Sequence, residues 1–173
     1  MADAHLASRR FADAAAVYRT RLEFLRGDAY RDRIAGFYLE VADPAYEGKR
    51  VQDPSTLVRR EIVVRDHATA LEYYRKALQA MGTGKLRAER GDEIRFRVGH
   101  SLLELGRAPE SVAELAALVG EPGWKPRAGL LGEARFTLAR ARAAAGDPEG
   151  ALQDYARVEA EGDHPRAPEA VKA

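Results

Sequence analysis

The stretch "MGTGK", residues 81–85, is the chain's nearest approach to a phosphate-binding loop. Such a loop needs a glycine five positions before the Gly-Lys pair and a Ser or Thr after it, with a strand in front. Here those places hold Gln79 and Leu86, and the preceding residues read as a helix, so the glycines read as a helix terminator. The four histidines, His5, His67, His100 and His164, are scattered, with no H-E-x-x-H pair and no Cys/His cluster to hold a metal. Cysteine is absent, which removes thiolate ligands, a cysteine nucleophile and any disulfide frame. Carboxylate pairs such as Glu104 with Glu110, or Glu159 with Glu161, carry no spacing that demands acid–base work. No G-x-S-x-G elbow occurs. The residues therefore point away from an enzyme, with no catalytic set, no metal site and no cofactor.

A chain of 173 residues with 46% apolar and 32% charged residues can bury a real core. Its 28 basic and 27 acidic residues leave a net charge of +1, which argues against nucleic acid as the main partner. No window approaches the ~18 apolar residues of a membrane span, and "MADAHLASRR" lacks the apolar core of a signal peptide. A cytoplasmic location is the default expectation. A periplasmic one follows if a signal or anchor has been removed.

The elements that must position any site are amphipathic helices in a repeating pattern. In "DHATALEYYRKALQA", residues 66–80, Ala70, Tyr74, Ala77 and Leu78 fall on one helical face. A small residue followed four places later by a large one recurs at Ala14/Tyr18, Ala70/Tyr74, Ser111/Leu115 and Ala151/Tyr155. Twelve positions before three of these lies another small residue, at Ala2, Gly99 and Ala139. The segments "RFRVGHSLLELG" and "RFTLARARAAAG" superpose without gaps, aligning Phe96 with Phe136, Gly99 with Ala139, and Gly106 with Gly146. Each of those last glycines is followed closely by Pro109 or Pro148, the stop of one helix and the start of the next. Small residues facing each other let two helices approach closely as a hairpin. A single hairpin cannot bury its apolar faces alone, but a stack can.

The pattern resembles the tetratricopeptide repeat, W-x2-L-G-x2-Y, then A-x3-F, then P. Its frame is carried by Arg95-x2-Val98-Gly99-x2-Leu102 with Ser111-x3-Leu115, and by Arg135-x2-Leu138-Ala139-x2-Arg142 with Ala151-x3-Tyr155. Ala70-x3-Tyr74-x2-Ala77-Leu78 matches the second helix best. The leading tryptophan is missing, Arg142 replaces an aromatic, and the anchors Ala14, Ala70, Ser111 and Ala151 are 56, 41 and 40 residues apart. A regular array would show about 34. Arg142 is expected to lay its stem on the seam with its head in water.

The resemblance implies an all-α fold of stacked antiparallel helical hairpins, an irregular α-solenoid of about eight helices over residues 1–162. Its repeats would fall at about 1–27, 28–82, 91–120 and 128–161, with 163–173 a tail or linker. The second repeat would start near Asp28 as an N-cap and carry a 43–65 insertion, "DPAYEGKRVQDPSTLVRREIVV" with its flanking residues. Two Asp-Pro pairs make its first half loop-like. "TLVRREIVV" is β-branched and reads either as a short strand or as a lengthening of the next helix. Arg59 and Arg60 mark this basic insertion as a candidate partner-specific arm. The single tryptophan, Trp124 in "GEPGWKPR", is expected to tuck over the end of a hairpin.

Phe96 and Val98 lie about 200° apart on their helix, which is therefore apolar on two faces. In the resembling family the first helices line a concave groove that captures a partner segment. Carried over, Phe96, His100 and Leu103, then Phe136 and Arg140, are the groove candidates, with Gly36 and Leu39 their counterparts one repeat earlier. The alternative packing role for both phenylalanines is that they sit between adjacent hairpins. The expected function is an interaction scaffold that binds a peptide or helix of a partner protein. The alternative is a structural spacer in a larger, envelope-associated bacterial protein. A terminal hairpin left uncapped also offers a surface for homodimerisation.

Overall fold

The computed structural model describes Asp13, Val17 and residues 27–52, 61–122, 124, 126–127 and 129–161. Arg59 and Arg60, the anchors Ala14 and Tyr18, the bulk of the 1–27 repeat and the 163–173 tail lie outside the described residues. Those residues form six helices and one two-stranded ribbon. The chain divides into two compact units, Met1–Gly91 and Asp92–Ala173.

In the first unit, α1 (Asp28–Glu47) packs along α2 (His67–Ala80). The seam is apolar and partly small. Ile34, Ala35, Tyr38, Leu39 and Ala42 of α1 are buried, as are Ala70, Leu71, Tyr74 and Ala77 of α2. The expected N-cap, Asp28, is instead the first helical residue, with Gly27 capping. At its other end α1 does not stop at Ala42 but runs through Pro44 to Glu47. Proline in a helix forfeits one backbone hydrogen bond and disfavours helical backbone at the residue before it. Asp43, that residue, is held by distant partners: Tyr74 Oη donates to it at 2.8 Å, and two Arg90 nitrogens donate at 2.9 and 3.2 Å. A local turn signal is overridden by tertiary bonds.

The insertion is therefore shorter than its sequence suggests. It begins at Gly48, whose φ of +84° suits glycine, and where a Cβ would lie 2.7 Å from the Val64 carbonyl oxygen. β1 (Lys49–Gln52) and β2 (Glu61–Val64) then pair antiparallel, Lys49 opposite Val64 and Gln52 opposite Glu61. The base of the ribbon closes on α1, where the Asp66 amide donates to the Ala45 carbonyl at 2.9 Å. The Asp66 side chain caps α2, accepting from the Thr69 amide at 2.9 Å and the Thr69 hydroxyl at 2.7 Å.

The "MGTGK" glycines lie in the turn between α2 and α3 (Lys85–Glu104). Both are packed against α1: a Cβ on Gly82 would meet the Asp28 carboxylate, and one on Gly84 the Asp32 carboxylate. Asp32 Oδ2 accepts from the Leu86 amide at 3.1 Å, and Asp28 from the Thr83 hydroxyl at 3.3 Å. The start of α3 already meets carboxylates from α1, and their charge opposes phosphate there.

In the second unit, the latter part of α3 folds against α4 (Ala108–Val119), followed by α5 (Leu130–Ala144) and α6 (Pro148–Glu161). The Gly99–Ser111 relation read from the sequence is a direct contact. The Ser111 hydroxyl donates to the Gly99 carbonyl at 2.7 Å, and both residues are buried. A Cβ on Gly99 would lie 2.6 Å from Leu115, which is fully buried. The two superposable turns also share one geometry. Gly106 and Gly146 take φ of +74° and +85°. The Arg107 amide donates to Leu102 and Gly106 to Leu103, just as Asp147 donates to Arg142 and Gly146 to Ala143. Both are Schellman endings that satisfy the last carbonyls of a helix. α5 packs on both α4 and α6.

Arg142 departs from its expected role. Its guanidinium turns inward rather than to water: Nη1 donates to the Gly150 carbonyl at 3.2 Å and lies 3.1 Å from Asp154 Oδ2. The Asp154 side chain is only 2% exposed. A buried carboxylate on α6 needs a cation, and Arg142 supplies it from α5.

Candidate functional site

Two places collect the residues singled out from sequence, one in each unit. In the first unit an open cavity of about 280 Å³ lies between α1 and the first turns of α3. Gly36, Leu39 and Pro44 of α1 and Leu86 of α3 supply its apolar wall. Glu40 and Glu47 stand on its rim, and Asp43 and Arg90 complete it. Gly36 matters because it adds no side chain: a Cβ built there meets nothing within 4 Å. The Asp43–Arg90 pair neutralises one carboxylate, so the remaining wall charges are those of Glu40 and Glu47.

In the second unit the groove candidates lie on α3 and α5. Phe96, His100, Leu103, Phe136 and Arg140 are all half-buried, unlike the seam residues Val98, Leu102, Leu138 and Ala139, which are buried. The Phe96 and His100 rings lie 6.1 Å apart, tilted by 30°. Glu104 links the two helices. Its Oε1 accepts from Arg140 Nη2 at 3.1 Å and sits 3.6 Å from His100 Nε2. The structure thus brings His100 and Arg140 to one carboxylate. Phe136 is drawn instead to the second helix of its own hairpin, where its ring meets Tyr155 edge-on at 5.7 Å. Burial pushes the Tyr155 phenol above its ordinary pKa, against the pull of the Arg140 cation.

Trp124 is half-buried and donates its indole N–H to Asp92 at 2.6 Å. Arg95 with Glu121, and Arg127 with Glu93 at 3.7 Å, join the same loop to α3. The tryptophan, which follows α4, is thus tied back to α3.

Sequence reasoning missed Glu104 as the bridge, although it lies one helical turn beyond His100. It also missed Arg90 and Leu86, whose approach to α1 leaves no local trace in the sequence. Among the described residues no group of three or more His, Asp or Glu side chains is placed to hold a metal ion, and no helix is long and apolar enough to cross a membrane. A scan against family models finds no match, and a search of curated proteins likewise finds none.

Proposed function

We propose that this chain is a helical-repeat interaction module, resembling the tetratricopeptide repeat, that binds a segment of a partner protein on its first helices. On this reading the six described helices belong to an irregular α-solenoid of about eight. The observation that carries the proposal is the cavity between α1 and the start of α3, with an open apolar wall around Gly36; on this reading the two are the first helices of successive repeats. Half-buried side chains on α3 and α5 give the second unit a comparable surface of its own.

The chemistry of the wall selects the occupant. Leu39, Pro44 and Leu86 offer an apolar seat, and Glu40 and Glu47 favour a cationic neighbour. The fitting ligand is an extended or helical peptide with an apolar side chain beside Lys or Arg. A peptide array probed with the purified chain tests this. Peptides of that composition should bind above acidic counterparts, and Glu40→Lys with Glu47→Lys should invert the preference. Uniform failure to bind any peptide would favour the spacer reading instead.

A further inference from the structure

The ribbon carries a separate surface that the groove does not use. Its strands are exposed along nearly their whole length, with Val51 at 39%, Val63 at 47% and Val64 at 53%. The register puts Lys49, Val51, Ile62 and Val64 on one face and Arg50, Gln52, Glu61 and Val63 on the other. Among the described residues β2 is paired on one side only, with β1. A two-stranded ribbon is marginal in water, and three or more strands with an apolar face are the stable arrangement. An exposed β-branched edge invites a further strand.

The residues of that edge point to its occupant. Residues 61–65 read Glu-Ile-Val-Val-Arg, acidic at one end, basic at the other and apolar between. We propose that β2 pairs antiparallel with β2 of a second copy about a two-fold axis through Val63, forming a four-stranded sheet across a homodimer. In that register Val63 faces the partner's Val63, Ile62 faces the partner's Val64, and Glu61 faces the partner's Arg65. Each charge meets its opposite, and the pair occurs twice by symmetry. Sliding by one residue in one direction sets Glu61 against the partner's Asp66. Sliding the other way leaves it facing the partner's Val64. Either slip also turns the apolar sets to opposite faces. In the centred register Val51, Ile62 and Val64 from both copies share one face. Glu61 keeps its ion pair with Arg50 at 3.9 Å, on the same face as Val63.

The test uses charge reversal on the full chain, with circular dichroism confirming unchanged helix content. Sedimentation velocity over a concentration series should show the natural chain in a monomer–dimer equilibrium. Glu61→Arg alone sets Arg against Arg twice, and Arg65→Glu alone sets Glu against Glu twice. Each should weaken dimerisation about ten-fold or more. An equimolar mixture of the two variants should recover a heterodimer, because every pair is then opposite. A chain that stays monomeric into the millimolar range would overturn the proposal. So would single variants that dimerise like the natural chain, or a mixture no tighter than its components.

Discussion

Replacing Gly99 with alanine probes the closest approach in the second unit. The added methyl would sit 2.6 Å from both Cγ and Cδ2 of Leu115, a fully buried side chain on α4. Overfilling a packed seam costs about 1–3 kcal/mol. Alanine in a helix recovers about 1 kcal/mol relative to glycine. Gly99→Ala should therefore destabilise by roughly 1 kcal/mol, the difference of those two effects. Leu115→Ala alone opens a cavity and should cost about 2–5 kcal/mol. In that background the methyl has room, the clash disappears, and only the helical gain remains. The same substitution should then stabilise by up to about 1 kcal/mol. The double-mutant cycle thus predicts a change of sign, with a coupling of about 1–3 kcal/mol. Urea unfolding followed by the fluorescence of Trp124, which lies in the same unit, supplies the four free energies. Equal effects of Gly99→Ala in both backgrounds would refute the close-contact seam.

Three further outcomes follow from other contacts. Burial raises the Asp154 carboxyl above its ordinary pKa, while Arg142 and then Arg157 pull it down. A raised folded-state pKa makes this group's contribution greatest below the unfolded value near 3.9 and loses it as pH rises through the folded value. Asp154→Asn should remove that loss, and Arg142→Ala should cost about 3 kcal/mol at pH 7 and less at pH 4, as read by urea melts at both pH values. Hydrogen bonds from Thr69, its backbone amide first and its hydroxyl next, hold the Asp66 carboxyl below its ordinary pKa, so its support of α2 is present above the unfolded value and lost as acid passes the folded one. Asp66→Ala should cost about 1 kcal/mol at pH 7 and speed amide exchange in the first turn of α2. Gly36→Arg should fill the cavity, leave the melting temperature unchanged or higher, and abolish binding of an array-selected peptide in calorimetry.

What the sequence disclosed were the features encoded by short, fixed intervals. The twelve-residue interval from Gly99 to Ser111 located their contact, and the Gly106 and Gly146 offsets located two identical helix endings. The β-branched run ending at Val64 was legible as a strand, one of two readings left open. Residues governed by distant partners were not legible. Asp43-Pro44 looks like a helix stop until Tyr74 and Arg90, 31 and 47 residues away, hold Asp43 in place. Arg142 looks like a snorkelling side chain until Asp154 arrives from α6. The site was legible only in outline. His100 and Arg140 shared a register position, but the carboxylate joining them did not stand out from other surface acids.

The most direct test of the proposed binding role is to titrate an array-selected Lys- or Arg-containing peptide into the isotope-labelled chain and map backbone amide shifts by NMR. In the first unit the largest shifts should gather on Gly36, Leu39 and Leu86, with the buried α1–α2 seam at Ala70 and Ala77 little changed. Shifts confined to α2 or to the ribbon, or none at saturating peptide, would contradict a groove on the first helices.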